Sequence, residues 1–524
     1  MAAVNESYDK TGDGDLEMNN LDRILKNKKT VYSYEEALDL TGHGKYNVGL
    51  LIACFVLITA MGIDIYGVGI IVTAATCDLR MRLEDIGVLS SMPFAGIIVM
   101  SYPWGYLSDT RGRKLALMWG MGGSFIAALL SSLAPNWQVL AALRFVSSAM
   151  SSVAESATYA LLGECCVAGV RARYMLLVTS ALMITPTIYY VWAYLIMKLD
   201  FSVPFLFVDY RPWRLLTLVM AIPLGLGAVM LYFFRESPKF LANVGKNEEA
   251  VEILGKIYAK NGGEGDFPVK ELFLEDHTKE EVGKFSLHSL YTQIAPLFKP
   301  PLLKSTFILY YLTFVVYIAN NSFAIILPTI FNVFFTSYAT SAVDAGFCDL
   351  FAIANTTTAV TPTVTDTVTE SIPVCKDNIN DFTILAGCVH GLSFFVLNAV
   401  ISQCATRRKW LTIAILGIAA VAAIAVNNIH QPIAGLALFY VYLTTAMVFG
   451  VVSSYFVDLF PTSYRGMVAC LGLMVGRLSA FSGTNVVTRS MSDHCPATMY
   501  GAAGLVISGA VAAAFLPSDS IKIS

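Results

Sequence analysis

The sequence has few charged residues for its length. Only 14% of the 524 residues are Asp, Glu, Lys or Arg, and 56% are apolar, whereas a soluble domain carries about 25% charged residues. So few ionic groups do not cover a water-facing surface, which excludes a soluble enzyme. The net charge of −3 is small and not basic, so we expect no nucleic-acid partner.

The charges that are present are concentrated in two stretches. Residues 1–45 hold 15 of them and residues 235–304 hold 21. Between these stretches, and again after the second one, lie runs of about 20 apolar residues, the length that an α-helix needs to cross a bilayer. The runs cover residues 47–75, 86–107, 115–133, 138–163, 175–197 and 213–234, and then 305–331, 383–403, 410–427, 433–457, 466–488 and 498–516.

This distribution predicts an all-α membrane protein with twelve transmembrane helices, because a span in lipid must satisfy its own backbone hydrogen bonds. Two six-helix bundles are expected, with pseudo-symmetry between them. The predicted parts are a disordered cytosolic tail (1–45), a first bundle (46–234), a cytosolic linker with amphipathic helices (235–304), a second bundle (305–516) that includes an extracytosolic loop (332–382), and a cytosolic tail (517–524).

Basic residues in the short loops give an orientation. Nine lie on one side and six on the other, and the positive-inside rule then places both termini and the 235–304 linker in the cytosol. No cleavable signal peptide is expected before the first span, since residues 1–45 are polar.

The loop 332–382 would then face an oxidising compartment. It contains Asn355 in an Asn-Thr-Thr glycosylation triplet. It also contains Cys348 and Cys375, for which we predict a disulfide because of the compartment. The alternative is two free thiols.

Three loop motifs carry chemistry. Residues 105–114 read GYLSDTRGRK between the second and third spans, with Gly105, Asp109 and Arg113 at fixed offsets. Residues 159–164 read YALLGE, ending in Glu164 and followed by Arg171 and Arg173. Residues 455–466 read YFVDLFPTSYRG and include Asp458 and Arg465.

These motifs resemble those of the major facilitator superfamily, whose two halves are duplicated units. RESPKFL at 235–241 and LPSD at 516–519 resemble motifs of its sugar and organic-ion porters. Within the superfamily, the insert start ESPKFLANVGKNEEAVEIL and the PWR at 212–214 are most similar to the synaptic vesicle glycoprotein 2 group and its transporter-like relatives. The loop CATRRK at 404–409 departs from the pattern, because it keeps the bases but lacks the expected Asp and Gly.

The resemblance implies a cytosolic gate. Asp109, Arg113 and Glu164, within motifs that also hold Gly105 and Arg173, would form a charge network that holds the outward-open state. Asp458 and Arg465, with Arg408, would be a partial counterpart in the second half. The alternative is that the bases only set topology.

Four charged residues lie within predicted spans, where an ionised group costs several kcal/mol and is a functional candidate. They are Asp64 in the first span, Arg144 and Glu155 in the fourth, and Arg477 in the eleventh. Arg144 and Glu155 are eleven residues apart, about 20° around one helix, so we expect both to face one cavity. Desolvated Asp64 or Glu155 would carry a coupling proton.

Arg477 indicates the substrate. By the resemblance, it falls where organic-anion transporters carry a base, and a guanidinium pairs well with a carboxylate. The alternative is a structural pair of Arg477 with Asp64 or Glu155. Asn320 and Asn321 in the seventh span are further polar candidates for the cavity.

The sequence therefore predicts a secondary or facilitative transporter for a small polar, anionic organic solute, with protons as a possible co-substrate. The alternative is a vesicle-glycoprotein-like membrane protein that binds partners and moves no solute. We expect a monomer in the lipid bilayer without a metal or other cofactor, in the plasma membrane or in a secretory vesicle.

Overall fold

The computed structural model describes residues 31–273, 294–340, 346–350, 379–403, 407–460 and 462–517. Twelve helical spans run back and forth through the molecule. They are Lys45–Ala75, Leu83–Arg111, Arg113–Ser131, Trp137–Cys165, Ala168–Met197 and Pro212–Tyr232, and then Leu303–Thr340, Asp381–Gln403, Arg408–Val426, Pro432–Asp458, Thr462–Asp493 and Cys495–Ala514. We number them spans 1 to 12. The predicted twelve-helix architecture is confirmed.

Four spans are interrupted near their middle. Span 1 breaks at Gly67, span 4 at Ser152 and span 10 at residues 444–445, while span 7 contains a π-helical turn at Tyr317–Asn321. Eleven helical segments of the described chain are long and apolar enough to cross a membrane by themselves. Span 4 is the twelfth, and its two pieces have only 15 and 13 residues. Such interruptions free backbone groups and are common at functional positions.

One end of the molecule carries a small folded layer built partly from the linker 235–304. We call this linker the insert, and this end of the molecule the insert face. Strand β1 (Val31–Ser33) pairs in parallel with a later strand, Glu271–Phe273, in the register Val31 to Glu271. A short helix, Tyr34–Leu40, packs with the insert helices Pro238–Asn243 and Asn247–Asn261 around buried Leu38, Leu241 and Leu254. The expectation of a disordered tail through residue 45 is therefore wrong for residues 31–44. Within this segment Tyr34, Ala37 and Leu38 form an apolar helix face, which the layer buries.

The opposite end, the distal face, holds a hairpin and a disulfide. The hairpin between spans 5 and 6 consists of strands β2 (Val203–Phe205) and β3 (Val208–Tyr210). The disulfide joins Cys348 to Cys495 at the start of span 12, with a Cα–Cα distance of 5.5 Å. The predicted Cys348–Cys375 bridge is therefore wrong: the fold brings Cys495 to Cys348 although 147 residues separate them, and sequence proximity gave no sign of that. Cys375 and Asn355 lie outside the described residues.

The two bundles are closed against each other on the distal side. Span 1 contacts span 7 there: the Thr73 and Thr329 hydroxyls are 2.8 Å apart, and a Cβ on Gly69 would lie 2.0 Å from the Ile325 carbonyl oxygen. Only a glycine permits this approach of two backbones.

Two further pairs of spans close the same end. A Cβ on Gly87 of span 2 would lie 3.1 Å from Thr488 of span 11, and one on Gly387 of span 8 would lie 2.1 Å from the Tyr190 ring of span 5. Each pair joins one bundle to the other in its distal half. The conformation is therefore sealed towards the distal face.

Candidate functional site

Asp64 lies in the core of the first bundle, and its carboxylate is fully engaged. Ser147 Oγ donates to Oδ1 at 2.6 Å, and Ser148 and Ser151 Oγ donate to Oδ2 at 2.9 Å each. Arg144 Nη1 is 3.5 Å from Oδ1. The side chain has no solvent exposure, so these four donors replace water as its solvation shell.

The Arg144 guanidinium is less completely satisfied than its partner. It is 2% exposed, and within the described chain its Nε and Nη2 atoms have no hydrogen-bond partner. A buried charge with free donors is costly. The pair therefore fixes span 4 against span 1 while leaving two donors directed at the bundle interior.

A second ion pair crosses between the bundles. Arg477 Nη2 of span 11 pairs with Glu155 Oε2 of span 4, and Arg477 Nη1 donates to Ser101 Oγ of span 2 at 2.8 Å. The Arg477 side chain is only 9% exposed, whereas that of Glu155 is 28% exposed. Glu155 is therefore the member of the pair that water reaches.

Polar groups of spans 1 and 7 continue this central layer. The Tyr66 hydroxyl donates to Asn321 Oδ1 at 3.3 Å, and Asn321 closes the π-helical turn of span 7. Asn320 is half-buried in the same turn. The π-helical turn changes the direction of the Asn320 and Asn321 side chains relative to a regular helix. These amides contribute polar groups to the interface between spans 1 and 7.

Arg144 and Glu155 do not act on one common partner. The expectation of a shared cavity assumed an unbroken helix, but span 4 is interrupted at Ser152. Arg144 is directed at Asp64 of its own bundle, while Glu155 is directed at Arg477 of the other. The sequence allows a structural pair of Arg477 with Asp64 or Glu155 as the alternative to a substrate contact. In this conformation Arg477 pairs with Glu155.

Sequence reasoning missed the serines around Asp64. Arg144, Ser147, Ser148 and Ser151 follow the spacing i, i+3, i+4 and i+7, so they share one helical face. This polar stripe, inside an otherwise apolar span, is the signal that would have revealed them.

The loop-motif residues form a cluster at the insert face, within the first bundle. Arg113 contacts Asp109 at 3.1 Å and Glu164 at 3.2 Å, and its Nη1 donates to the Ser108 carbonyl at 2.9 Å. Ser237 Oγ of the insert donates to Glu164 Oε2. The cluster thus ties spans 2, 3 and 4 to the insert.

Glu236 completes this attachment by capping a helix. Its carboxylate accepts from the backbone amides of Lys114 and Leu115 in the first turn of span 3, at 3.0 to 3.4 Å. A carboxylate at a helix N-terminus satisfies free amides and the helix dipole.

Other members of the motifs differ from expectation. Gly105 lies inside the helix of span 2 and not in a turn, and a Cβ there would meet nothing within 4 Å. The turn is made by Gly112, whose φ is +110°.

Among the charged residues of the other two motifs, Arg173 also differs from expectation. It is exposed, and Arg171 makes the ion pair near that residue, with Glu35 at 2.6 Å. The side chains of Asp458 and Arg465 lie outside the described part of the chain, while Arg408 Nη1 donates to Ser454 Oγ at 3.0 Å.

The segment 31–44 is hydrogen-bonded to the cluster around Arg113 and Glu164. The Tyr34 hydroxyl donates to the Glu164 carbonyl at 2.6 Å, and the Asp39 carboxylate accepts from the Ala168 amide at 3.2 Å. Burial, with nearby Glu164 and Cys165, raises the pKa of Tyr34 well above its ordinary value, so the phenol stays protonated and donates.

Comparisons with known proteins agree with this architecture. A family model described as Major Facilitator Superfamily matches residues 52–484. The chain is 27% identical over 243 residues to synaptic vesicle glycoprotein 2C of Mus musculus, covering 46% of this chain and 33% of that protein. It is 25% identical over 284 residues to synaptic vesicle 2-related protein of Bos taurus, covering 54% and 47%. The match thus spans between a third and a half of these relatives.

Solved structures share the fold at low sequence identity. The partially occluded inward open conformation of the xylose transporter XylE from E. coli superposes with a TM-score of 0.64 at 15% identity, covering 91% of this chain and 100% of that one. A crystal structure of a D-xylose-proton symporter gives a TM-score of 0.60 at 15% identity, covering 91% and 99%. Family and fold together indicate a multi-pass integral membrane protein. The family model covers most of the chain, and the protein therefore belongs to the Major Facilitator Superfamily.

Proposed function

We propose that the protein transports a small anionic organic solute by alternating access, coupled to protons. The observation that carries this proposal is the ion pair between Arg477 and Glu155, which joins the two bundles halfway along their spans. A buried, fixed positive charge at that position favours a carboxylate or similar anion.

The substrate would compete with Glu155 for Arg477. When the substrate's anionic group pairs with the guanidinium, Glu155 loses its counter-charge, and loss of an opposite charge favours protonation of a carboxyl group. Substrate binding and proton uptake would then be linked at one arginine. Ser101 would act as a positioning residue, because it holds the Nη1 side of Arg477.

Asp64 is the weaker of the two candidate proton carriers. Its carboxylate accepts from three serines, pairs with Arg144 and has no exposed surface, so water does not reach it to exchange a proton. We assign it a structural role in holding spans 1 and 4 together. Glu155, with 28% of its side chain exposed, is the assigned proton carrier.

The orientation that fits this function places the insert face in the cytosol. Cys348, Cys495 and Cys77 are disulfide-bonded, which is typical of an oxidising compartment. The free cysteines of the described chain are Cys54, Cys165, Cys166, Cys388 and Cys470, and none of them lies in a distal loop. The seal on the distal side then closes this conformation towards the extracytosolic compartment. Its membrane is either the plasma membrane or that of a secretory vesicle.

A non-transporting role remains the second candidate because the curated relatives include synaptic vesicle glycoproteins. Such a protein would bind partners through the transporter fold and would keep one conformation. It would have no need for an ion pair that can be exchanged.

A thermal-stability screen of the purified protein tests the anion assignment, and the transport activity itself is tested by uptake into proteoliposomes. We expect small carboxylates to raise the melting temperature of the wild type and not that of Arg477→Ala, with sugars and amines inactive on both. Ser101→Ala, which keeps the charge, should weaken the shift without abolishing it. Stabilisation by sugars or amines that persists in Arg477→Ala would overturn the anion assignment.

A further inference from the structure

The distal hairpin presents large apolar side chains at its tip. Strands Val203–Phe205 and Val208–Tyr210 pair antiparallel around the two-residue turn Leu206-Phe207. Leu206 is 76% exposed and Phe207 69% exposed. Neither lies in a membrane-spanning helix, where such exposure to lipid would be ordinary.

Leu206 and Phe207 are not the residues that the conformation of this turn favours. Leu206 has φ of +55°, in the left-handed region where Gly, Asn and Asp are favoured. Two-residue hairpin turns prefer Asn-Gly or a related pair at these positions. Two large apolar residues here oppose the local preference, so a contact made by their side chains must account for them.

The hairpin begins a short distance beyond the end of span 5. Leu195 in the last turn of that span is 60% exposed, and Val203 and Phe205 on the hairpin are 53% and 49% exposed. Exposed Lys198 and Asp200 lie between them. Because span 5 crosses the membrane, lipid covers Leu195, and the hairpin starts only six residues after that span ends, which places it next to the membrane surface.

The base of the hairpin is fixed to the first bundle. Arg214 Nε donates to the Asp209 carbonyl at 3.0 Å, and Arg214 Nη1 donates to the carbonyls of Ser132 and Ala134 at 3.0 and 2.8 Å. The tip is thus held at a set position beside spans 3 and 6.

The dimensions fit a location in the lipid headgroup layer. Three strand residues extend about 10 Å, whereas the interfacial layer on each side of the hydrocarbon is only about 5–8 Å thick. An upright hairpin would carry Leu206 and Phe207 into water. We propose that the hairpin lies along the membrane surface and inserts Leu206 and Phe207 into the distal leaflet as an interfacial anchor.

This inference depends on the membrane fold and not on the proposed transport activity. The tip itself carries no charge or hydrogen-bonding side chain, so its chemistry matches hydrocarbon, which selects by apolarity alone. A protein partner would be an alternative covering and is distinguished in the test.

The test places a nitroxide spin label at Leu206→Cys in a Cys470→Ser background, with the full chain reconstituted in phosphatidylcholine vesicles. Collision rates with oxygen and with a water-soluble nickel chelate are measured by electron paramagnetic resonance. Trp119→Cys on the exposed face of span 3 is the lipid-facing reference, and Lys256→Cys on an insert helix is the water-facing reference.

We expect the label at position 206 to behave as at Trp119→Cys, with oxygen collisions exceeding nickel collisions. Nickel access equal to that at Lys256→Cys would overturn the proposal, because the tip would then lie in water. Low access to both reagents would also overturn it, since it would indicate a protein covering. Phe207→Cys repeats the measurement if Leu206→Cys does not fold, and the unmutated Cys470→Ser protein corrects for labelling of native cysteines.

Discussion

Arg477 of the second bundle is paired with Glu155 of the first, in the layer where the two bundles meet. Alternating access requires the bundles to reorient about this layer. The pair therefore joins the two bundles in this conformation, and under the proposed function it is the site at which an anion would release them.

Removing either member of this pair should lower stability. Breaking a buried ion pair costs about 3–5 kcal/mol, and we expect the lower end because Glu155 is partly exposed. Glu155→Gln and Arg477→Gln should each lower the melting temperature, and the double variant should lower it by less than the sum. Additive effects in this cycle would contradict a direct interaction.

Asp64→Asn should destabilise the first bundle more than other polar substitutions nearby. It leaves Arg144 buried without its counter-charge, at a cost of about 3–5 kcal/mol. Adding Arg144→Gln should recover part of the melting temperature. Thr59→Val is a matched control, because the Thr59 hydroxyl is buried without a partner in the described chain and its loss should be neutral or stabilising. If Asp64→Asn were as mild as this control, the assigned structural role would be wrong.

Gly69→Ala should open the distal seal. The new Cβ would lie 2.0 Å from the Ile325 carbonyl oxygen, and a normal C···O contact of about 3.3–3.6 Å requires spans 1 and 7 to move apart by about 1.5 Å. A Thr329→Cys reporter should then react faster with a membrane-impermeant maleimide.

Gly122→Ala is the control for that experiment, because a Cβ at Gly122 meets nothing within 4 Å. It should leave the reporter rate unchanged. Equal reporter rates with and without Gly69→Ala would show that the Gly69 contact does not hold the distal face closed.

The disulfide assignment is open to direct chemical mapping. Non-reducing digestion and mass spectrometry should recover a peptide pair joined through Cys348 and Cys495, and reduction should separate it. Cys495→Ser should cost about 2–4 kcal/mol of stability, typical for loss of a native bridge. A peptide pair that joins Cys348 to any other cysteine would contradict the structure.

The sequence predicts the number and order of the spans well because apolar length is a local property. The loop motifs also place Asp109, Arg113 and Glu164 correctly in one region, since their helices meet at one loop face. Long-range pairings are a different matter. The partner of Cys348 and the covering of residues 31–44 depend on where distant segments meet, which no local pattern records.

For the central ion pairs, the sequence likewise predicts which residues are charged within spans but not how they pair. Hydropathy identifies Asp64, Arg144, Glu155 and Arg477 as charges within spans, because each interrupts an apolar run. Which acid pairs with which base depends on the interruption of span 4 at Ser152 and on the packing of span 11 against span 2. Helical periodicity alone therefore grouped Arg144 with Glu155.

The most direct test of the proposed transport is uptake of a panel of small radiolabelled carboxylates by proteoliposomes with an inwardly directed proton gradient. We predict saturable uptake of at least one member by the wild type, loss of that uptake in Arg477→Ala, and loss of its dependence on the proton gradient in Glu155→Gln. Absence of uptake of every member by folded wild-type protein, or uptake unchanged in Arg477→Ala, would contradict the proposed function.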